Sequence, residues 1–556
     1  MKNSYLLFLF FTLIGSMHSY AQIIYVDALL PTDCNGTYSI SNRACNGADG
    51  DAYKTLKSVA NATTAGTQVL IREGVFKEQL SPQSSGEENN YIVFKNYGNE
   101  IVEFTGALLA PAISIDQKQF ITIDGLKFKD CPQFMSIKAA SHINIENCEF
   151  ENSTMWESCQ LKDMGDYFLF RNNIVKNGTD LLSIQGGSYH LIEGNTFDTA
   201  SHTCLVFMGV HDSAIRNNSL INPNQKLLEI FATRDREWSA PYRKSEHILI
   251  ENNLFGPNSH REGHYNGKEP PASWGIQFAG VKCIMRNNIF AGCEGGMDIC
   301  GYGKVGGGDD SPEAAFNYSN RFYNNTVYSN GEKGRYGSGP GIKVSHNLHT
   351  EFYDNIFMNN IFYANRIFKD AHTKRDVPSV QVAFSSSSNP SETRFYNNNI
   401  TAQSNKDKEV FFIGKEDKGF TLNAFEQTYP DYIQNNIQGN PLFKIENPNL
   451  KHIVKDDYRL SEDSICIDAG AFLTYAIGAG DTGIVLKVKD PYFFTDGFSI
   501  VEGDIIRVGD NEVQIKSIDY DTGYMILENA IQWKDKAPVS LLYKGNAPDI
   551  GAIESY

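Results

Sequence analysis

The chain has 556 residues, 41% hydrophobic and only 21% charged, a balance that supports a large buried core and excludes a disordered protein. Its formal net charge of −17 comes without any basic block, which excludes a nucleic-acid surface, because phosphate recognition needs clustered Lys and Arg.

The first residues read as an address. MKNSYLLFLFFTLIGSMHSYAQ places Lys2 ahead of a short apolar run over 5–14, followed by Ser19 and Ala21 in the small-residue pattern of a signal peptidase site. Cleavage is expected after Ala21, since the run falls short of the ~20 apolar residues a membrane span needs. No later stretch is long enough, so the expected protein has no transmembrane segment and is secreted or periplasmic, or held at the surface. Cysteines oxidise there. Of the ten cysteines, Cys34 and Cys45 bracket a polar loop and are the expected disulfide, while the others sit mostly in apolar segments as buried free thiols.

From about residue 120 the chain repeats itself. FLFRNNIV, HLIEGNTF, SAIRNNSL, ILIENNLF, CIMRNNIF, RFYNNTVY and EFYDNIFM each pair two short apolar runs around Asn or Gly. Markers at Gly125, Cys148, Asn173, Asn195 and Asn218 stand 23, 25, 22 and 23 residues apart; those at Asn253, Asn288, Asn325, Asn355 and Asn398 follow at 35, 35, 37, 30 and 43. Short alternating runs broken by Asn and Gly read as strand, not helix, and a period near 22 predicts an all-β, right-handed parallel β-helix over 22–475. Each asparagine is expected to take the left-handed backbone conformation at the bend between second and third strands, and to hydrogen-bond along the axis as a ladder.

Counting from the markers selects TCLVFM, KLLEIF, WGIQFA, GMDIC and GIKVS as one parallel sheet. Alternation turns Leu228, Ile230, Ile276, Phe278, Met297, Ile299, Ile342 and Val344 inward, and Glu229, Gln277, Asp298 and Lys343 outward. With coils stacked at roughly 4.8 Å, Glu229 and Asp298 have backbones roughly 10 Å apart and Asp298 neighbours Lys343. Where the period lengthens, insertions border this sheet. One carries Arg234, Arg236, Trp238, Tyr242, Arg243 and Lys244; the next carries His260, His264, Tyr265, Lys268 and Trp274. Arg holds carboxylate or sulfate bidentately and Trp or Tyr stacks on sugar rings, so an anionic poly- or oligosaccharide is the expected partner of a monomer.

His202, His211, His346 and His349 flank the same strands. HREGH is no zinc-protease motif, because Gly263, Pro270 and Pro271 exclude the helix that motif needs. GYGKVGGGDDSPEAAF offers Asp309, Asp310 and Glu313 as calcium ligands, although no cofactor is required. A period-two pattern with Gly and Asp turns then predicts a small antiparallel β module over 476–545, expected to cap the solenoid, before a closing segment at 546–556.

The start, IYVDALLPTDCNG with DAYKTLKSVANATTAGTQVLIREGVFKEQLSP, resembles the pectate-lyase-like β-helix superfamily, especially chondroitinase B and related alginate lyases, and DYRLSEDSICIDAG with APDIGAIE resembles the closing coil of secreted bacterial β-helix proteins. The resemblance implies a substrate groove along the outward row. Chondroitinase B-like lyases place a catalytic Lys and Arg beside an Asn, Glu, Glu calcium site, which has no motif-for-motif match here, so no family residue is carried over. Three readings follow. The first is β-elimination on a uronate, with Lys343, His202 or Tyr242 as base and Arg234, Arg236 or Arg243 neutralising the carboxylate, as a lyase or a water-eliminating oligosaccharide dehydratase acting on ulvan- or alginate-type chains. The second is an inverting glycoside hydrolase using Glu229 and Asp298. The third is a surface protein that binds carbohydrate without turnover.

Overall fold

The computed structural model describes residues 22–232, 243–258, 273–301, 316–331, 339–346, 351–369, 376–386, 388–403 and 408–555. Its architecture is the expected parallel β-helix. Each coil contributes a first strand to a 15-stranded parallel sheet (sheet a), then a second and a third strand (sheets b and c). The b and c strands run into one another at Ile174–Gln185 and Thr196–Met208, so hydrogen bonding joins those two sheets around a corner.

Three inward rows fill the solenoid. In sheet a, Phe170, Ile192, Ile215, Ile250, Met285, Phe322, Phe357 and Phe395 stand in register, all fully buried. Sheet b contributes Phe150, Val175, Phe197, Leu220, Phe255 and Phe290 in the same way. Each such side chain contributes roughly 1.5–3 kcal/mol by leaving water, and a coil obtains that only when its neighbours cover it.

The a–b bend assigns its two tasks to two adjacent residues. The left-handed conformation falls on Asn147, Asn172, Gly194, Asn217, Asn252, Asn287, Asn324, Asn359, Asn397 and Asn435. The residue after each points inward and builds the ladder: the backbone N and Nδ2 of Asn195 both donate to Asn218 Oδ1 (2.9 and 3.0 Å), while Asn195 Nδ2 also donates to Phe170 O (2.8 Å). This pattern runs through Asn173, Asn195, Asn218, Asn253, Asn288, Asn325, Asn360, Asn398 and Asn436. It ends on Glu426 Oε1 from the helix over Leu422–Thr428. The expectation of one residue doing both jobs, at a bend between the second and third strands, is thus corrected: the bend joins the first and second strands, and two markers move. Gly125 occupies the bend position rather than the ladder, and the rung after Asn325 is Asn360, not Asn355, so the spacing there is 35 and then 38.

The ends are closed by helix α1 (Leu56–Ala62), which buries Leu56 and Val59, and helix α2 (Leu422–Thr428), whose Phe425 stacks on Phe411. Cys34 and Cys45 form the expected disulfide beside the first coil, and the other eight cysteines are buried free thiols. The small antiparallel module is a six-stranded sheet whose strands lie between Thr474–Tyr475 and Pro538–Leu541, with its first two strands joined at Ala476 and Val488. It does not cap an end. It lies on the flank, packing Leu486, Ile506 and Val539 with the outward residues Ala214, Leu249, Ile284 and Tyr323 of sheet a. The reason is an apolar outward row that needs covering, beside a charge column in which Glu146, Arg171, Glu193, Arg216, Glu251 and Arg286 alternate in register. Arg286 binds Glu251 below and Asp504 of the module above (2.7 and 2.6 Å), leaving a buried cation paired on both sides.

Two predictions follow from this packing. Asn253→Ala removes the acceptor of two Asn218 donors and the donor to Ile215 O, all buried, and is expected to cost about 3 kcal/mol in urea unfolding, against under about 1 kcal/mol for Asn436→Ala at the half-exposed end. His190 is fully buried, accepts from Phe168 N at Nδ1 and bonds Gly186 O through Nε2, and burial pushes its pKa down to about 4. The unfolded chain therefore takes up more protons between about pH 6.5 and 4, so this stability is present above 6.5 and lost as pH falls through that window, a loss on the order of 3 kcal/mol. His190→Phe is expected to be less stable at pH 7 but to show a shallower acid decline in the same unfolding measurement.

Candidate active site

The strands expected to form one sheet do so. Val206, Glu229, Gln277, Asp298 and Lys343 are directly opposed on successive c strands. The eight residues expected to point inward between them are fully buried. Glu229 and Asp298 are two rungs apart with Gln277 between them.

Each charged member is paired. Glu229 Oε1 meets Lys226 Nζ at 2.7 Å and Oε2 accepts from Thr203 Oγ1 at 3.1 Å. Asp298 Oδ1 accepts from Ser345 Oγ at 2.9 Å and faces Lys343 Nζ at 3.5 Å. The Gln277 side chain makes no hydrogen bond to a described residue and stands half-buried between the two carboxylates.

At the start of the c strands the pleat is interrupted. Pairs of consecutive residues, Leu181 with Leu182, Cys204 with Leu205 and Leu227 with Leu228, are all buried. Just before them Glu157, Asp180, Thr203 and Lys226 stand in register. Pairing shifts by one between Gly178–Ala200 and Asp180–Thr203, so the coil carrying His202 has one extra residue there. Such bulges re-aim side chains beside functional sites. Here His202 Nδ1 lies 2.6 Å from Asp180 Oδ1, which also accepts from Thr203 N at 3.2 Å. Burial pushes the Asp180 carboxyl upward, and the His202 hydrogen bond opposes that shift. With Nδ1 donating to the carboxylate, His202 Nε2 carries the free lone pair, and it has no partner among the described residues. Trp156, 58% exposed, sets its ring 5.1 Å from that imidazole.

The other expected site residues divide into two groups. Arg234, Arg236, Trp238, Tyr242, His264, Asp309 and Asp310 lie outside the described residues. Arg243 and Trp274 are described, and neither is placed as expected. Arg243 donates to Gly187 O and Ser188 Oγ (3.0 and 2.8 Å), tying the end of its insertion to the c–a turn instead of offering its fork to a ligand. Trp274 is 5% exposed; a Cβ on Gly295 would come within 2.5 Å of its ring, and Lys343 Nζ sits 5.4 Å from the ring centroid, so the indole is a wall of the groove, not a stacking platform. Reading the row from Glu229 alone misses Asp180, Thr203, Lys226 and Trp156. Counting three residues back from Glu229 to Lys226, and across to Thr203 and Asp180, would have found the first three; Trp156 stands one residue before Glu157 of the same row.

Burial pushes the thiols of Cys204 and Cys300, beneath this face, well above the usual range, which leaves them inert. Among the described residues no three His, Cys, Asp or Glu side chains are grouped to hold a metal ion, and no helix is long and apolar enough to cross a membrane.

Residues 66–277 match the family model described as periplasmic copper-binding protein (NosD), which covers less than half of the chain. In the described part of that segment no three His, Cys, Asp or Glu side chains are grouped, so these residues do not form a copper site. An uncharacterized protein of Bacillus subtilis (strain 168), YwoF, is 38% identical over 84 residues, which are 14% of this chain and 18% of that relative. Solved structures with a similar chain path are remote in sequence. Pectate lyase Pel9A gives a TM-score of 0.44 at 10% identity, over 97% of each chain. A PL6 family polysaccharide lyase from Pseudopedobacter saltans gives 0.39 at 13% identity, over 73% of this chain and 97% of that one. The catalytic unit of a GH87 alpha-1,3-glucanase from Streptomyces thermodiastaticus strain HF3-3 gives 0.39 at 10% identity, over 64% of each.

Proposed function

We propose that the protein is a secreted or periplasmic carbohydrate-active β-helix protein that acts by β-elimination on uronate-containing saccharides, with His202 as the base. The observation that carries this reading is the Asp180–His202 pair at the bulge, with Nε2 open, one coil from the Lys226 ammonium. The disulfide and the periplasmic description of the partly matching family support the location.

Elimination needs a base for the proton alpha to the carboxylate and a charge partner for the electrons that shift toward it. His202 Nε2 takes that proton, the C–H electron pair becomes the new C=C bond, the C–O bond beyond it breaks with its electrons on oxygen, and the departing oxygen takes up a proton from water. Asp180 is a positioning residue, fixing the imidazole tautomer. Lys226 spends two N–H groups on Glu229 and Gln225 and keeps a third for the substrate carboxylate. If the departing oxygen belongs to a sugar, the protein is a lyase; if it leaves as water, an oligosaccharide dehydratase. Hydrolysis through Glu229 and Asp298 is the weaker reading, because both Glu229 oxygens are already engaged, one by Lys226 and one by Thr203, which leaves one member of the pair no free oxygen for proton transfer.

The test is incubation with uronate polymers and oligomers while following absorbance near 235 nm, where unsaturated uronates absorb. Wild type is expected to generate that signal, His202→Ala to lose about 10³-fold in kcat, and Asp180→Asn about 10²-fold. Reducing ends without absorbance would replace elimination by hydrolysis, and full activity in His202→Ala would remove the base.

A further inference from the structure

Beside the His202 dyad, at the b–c turn, lies a pocket of ≈ 420 Å³ that the elimination reading does not use. Asn152, Ser153, Asn177, Thr179, Ser201 and Asn224 line it, and no described lining residue is charged. Thr179 immediately precedes Asp180, and Ser201 immediately precedes His202, so the pocket opens within one residue of the dyad from two successive coils. Asp180 N donates to Trp156 O (2.8 Å) on the preceding coil, and the exposed Trp156 indole packs 5.1 Å from the His202 imidazole.

The lining has hydrogen-bonding capacity left over. Asn177 Nδ2 is spent on Asn152 Oδ1, yet Asn177 Oδ1 has no partner among the described residues. Thr179 Oγ1 accepts from Ser201 Oγ, leaving the Thr179 hydroxyl proton to donate. The Asn224 side chain, 8% exposed at residue level, makes no hydrogen bond to a described residue. Neutral donors and acceptors around a concave site, next to a dyad that carries an exposed aromatic ring, suit a polyhydroxylated ring without charge. A second uronate there would bring a carboxylate into a pocket whose described lining holds no cation to meet it.

We propose that this pocket binds a neutral sugar joined to the uronate on which His202 acts, so that the substrate class is a heteropolysaccharide in which uronate alternates with uncharged sugar, not a homopolyuronate. This rests on the elimination reading above. The experiment compares hyaluronan and unsulfated chondroitin, where an uncharged N-acetylhexosamine alternates with uronate, with alginate and polygalacturonate, by the initial rate at 235 nm. Wild type is expected to favour the alternating polymers at least tenfold in kcat/KM. Ser201→Tyr, which fills the pocket, and Ser153→Tyr, which fills it from another coil, are expected to shrink that preference to within about twofold, with Tm recorded to set aside a variant that does not fold. Equal or better rates on the homopolyuronates, or an undiminished preference in both folded variants, would overturn the proposal. If no polymer yields absorbance, the elimination reading fails, and calorimetric titration with uncleaved oligosaccharides of the two classes decides the pocket by itself: tighter binding of the alternating class, lost in Ser201→Tyr, upholds it, and equal binding overturns it.

Discussion

A single carboxamide oxygen holds this fold in register. At each rung of the asparagine ladder one Oδ1 accepts both the backbone N–H and the side-chain N–H of the rung before it, and the same side chain's Nδ2 reaches back to a carbonyl on that earlier coil. All of these groups are buried, so a coil that slipped by one residue would strand three polar atoms away from water and turn an entire strand inside out. The pleat can be exact at Glu229, Gln277, Asp298 and Lys343, far from the ladder, because every coil is indexed at the a–b bend.

The three faces then serve different ends. Sheet a carries the alternating Glu and Arg column and the apolar row that the six-stranded module covers, with Arg286 as the pin between them. Sheet c has no such cover among the described residues and carries the polar row. The bulge at the start of its strands breaks the index locally, and there the chain aims His202 at Asp180.

Much of this was legible in the sequence because it is periodic. The inward rows and the polar row follow from spacing alone, and the Arg and Glu alternation stands in plain view in RNNIV, EGNTF, RNNSL, ENNLF and RNNIF. Aperiodic features were harder to read. Asn355 sits in an apolar context like that of a rung, and only pairing with neighbouring coils distinguishes it from Asn360. The module was expected at an end because solenoid ends need covering, but α1 and α2, each seven residues, suffice for that. The dyad was half visible: His202 was a candidate, while Asp180 sits behind a break in alternation that period-two counting passes over.

The most direct measurement of where function resides is the crystal structure of the His202→Ala protein with a uronate oligosaccharide bound. Sugar density is expected on the outer face of sheet c, with a carboxylate at Lys226 and a ring against Trp156. A saccharide seated on sheet a, on sheet b or on the six-stranded module, with the c face bare, would contradict the assignment.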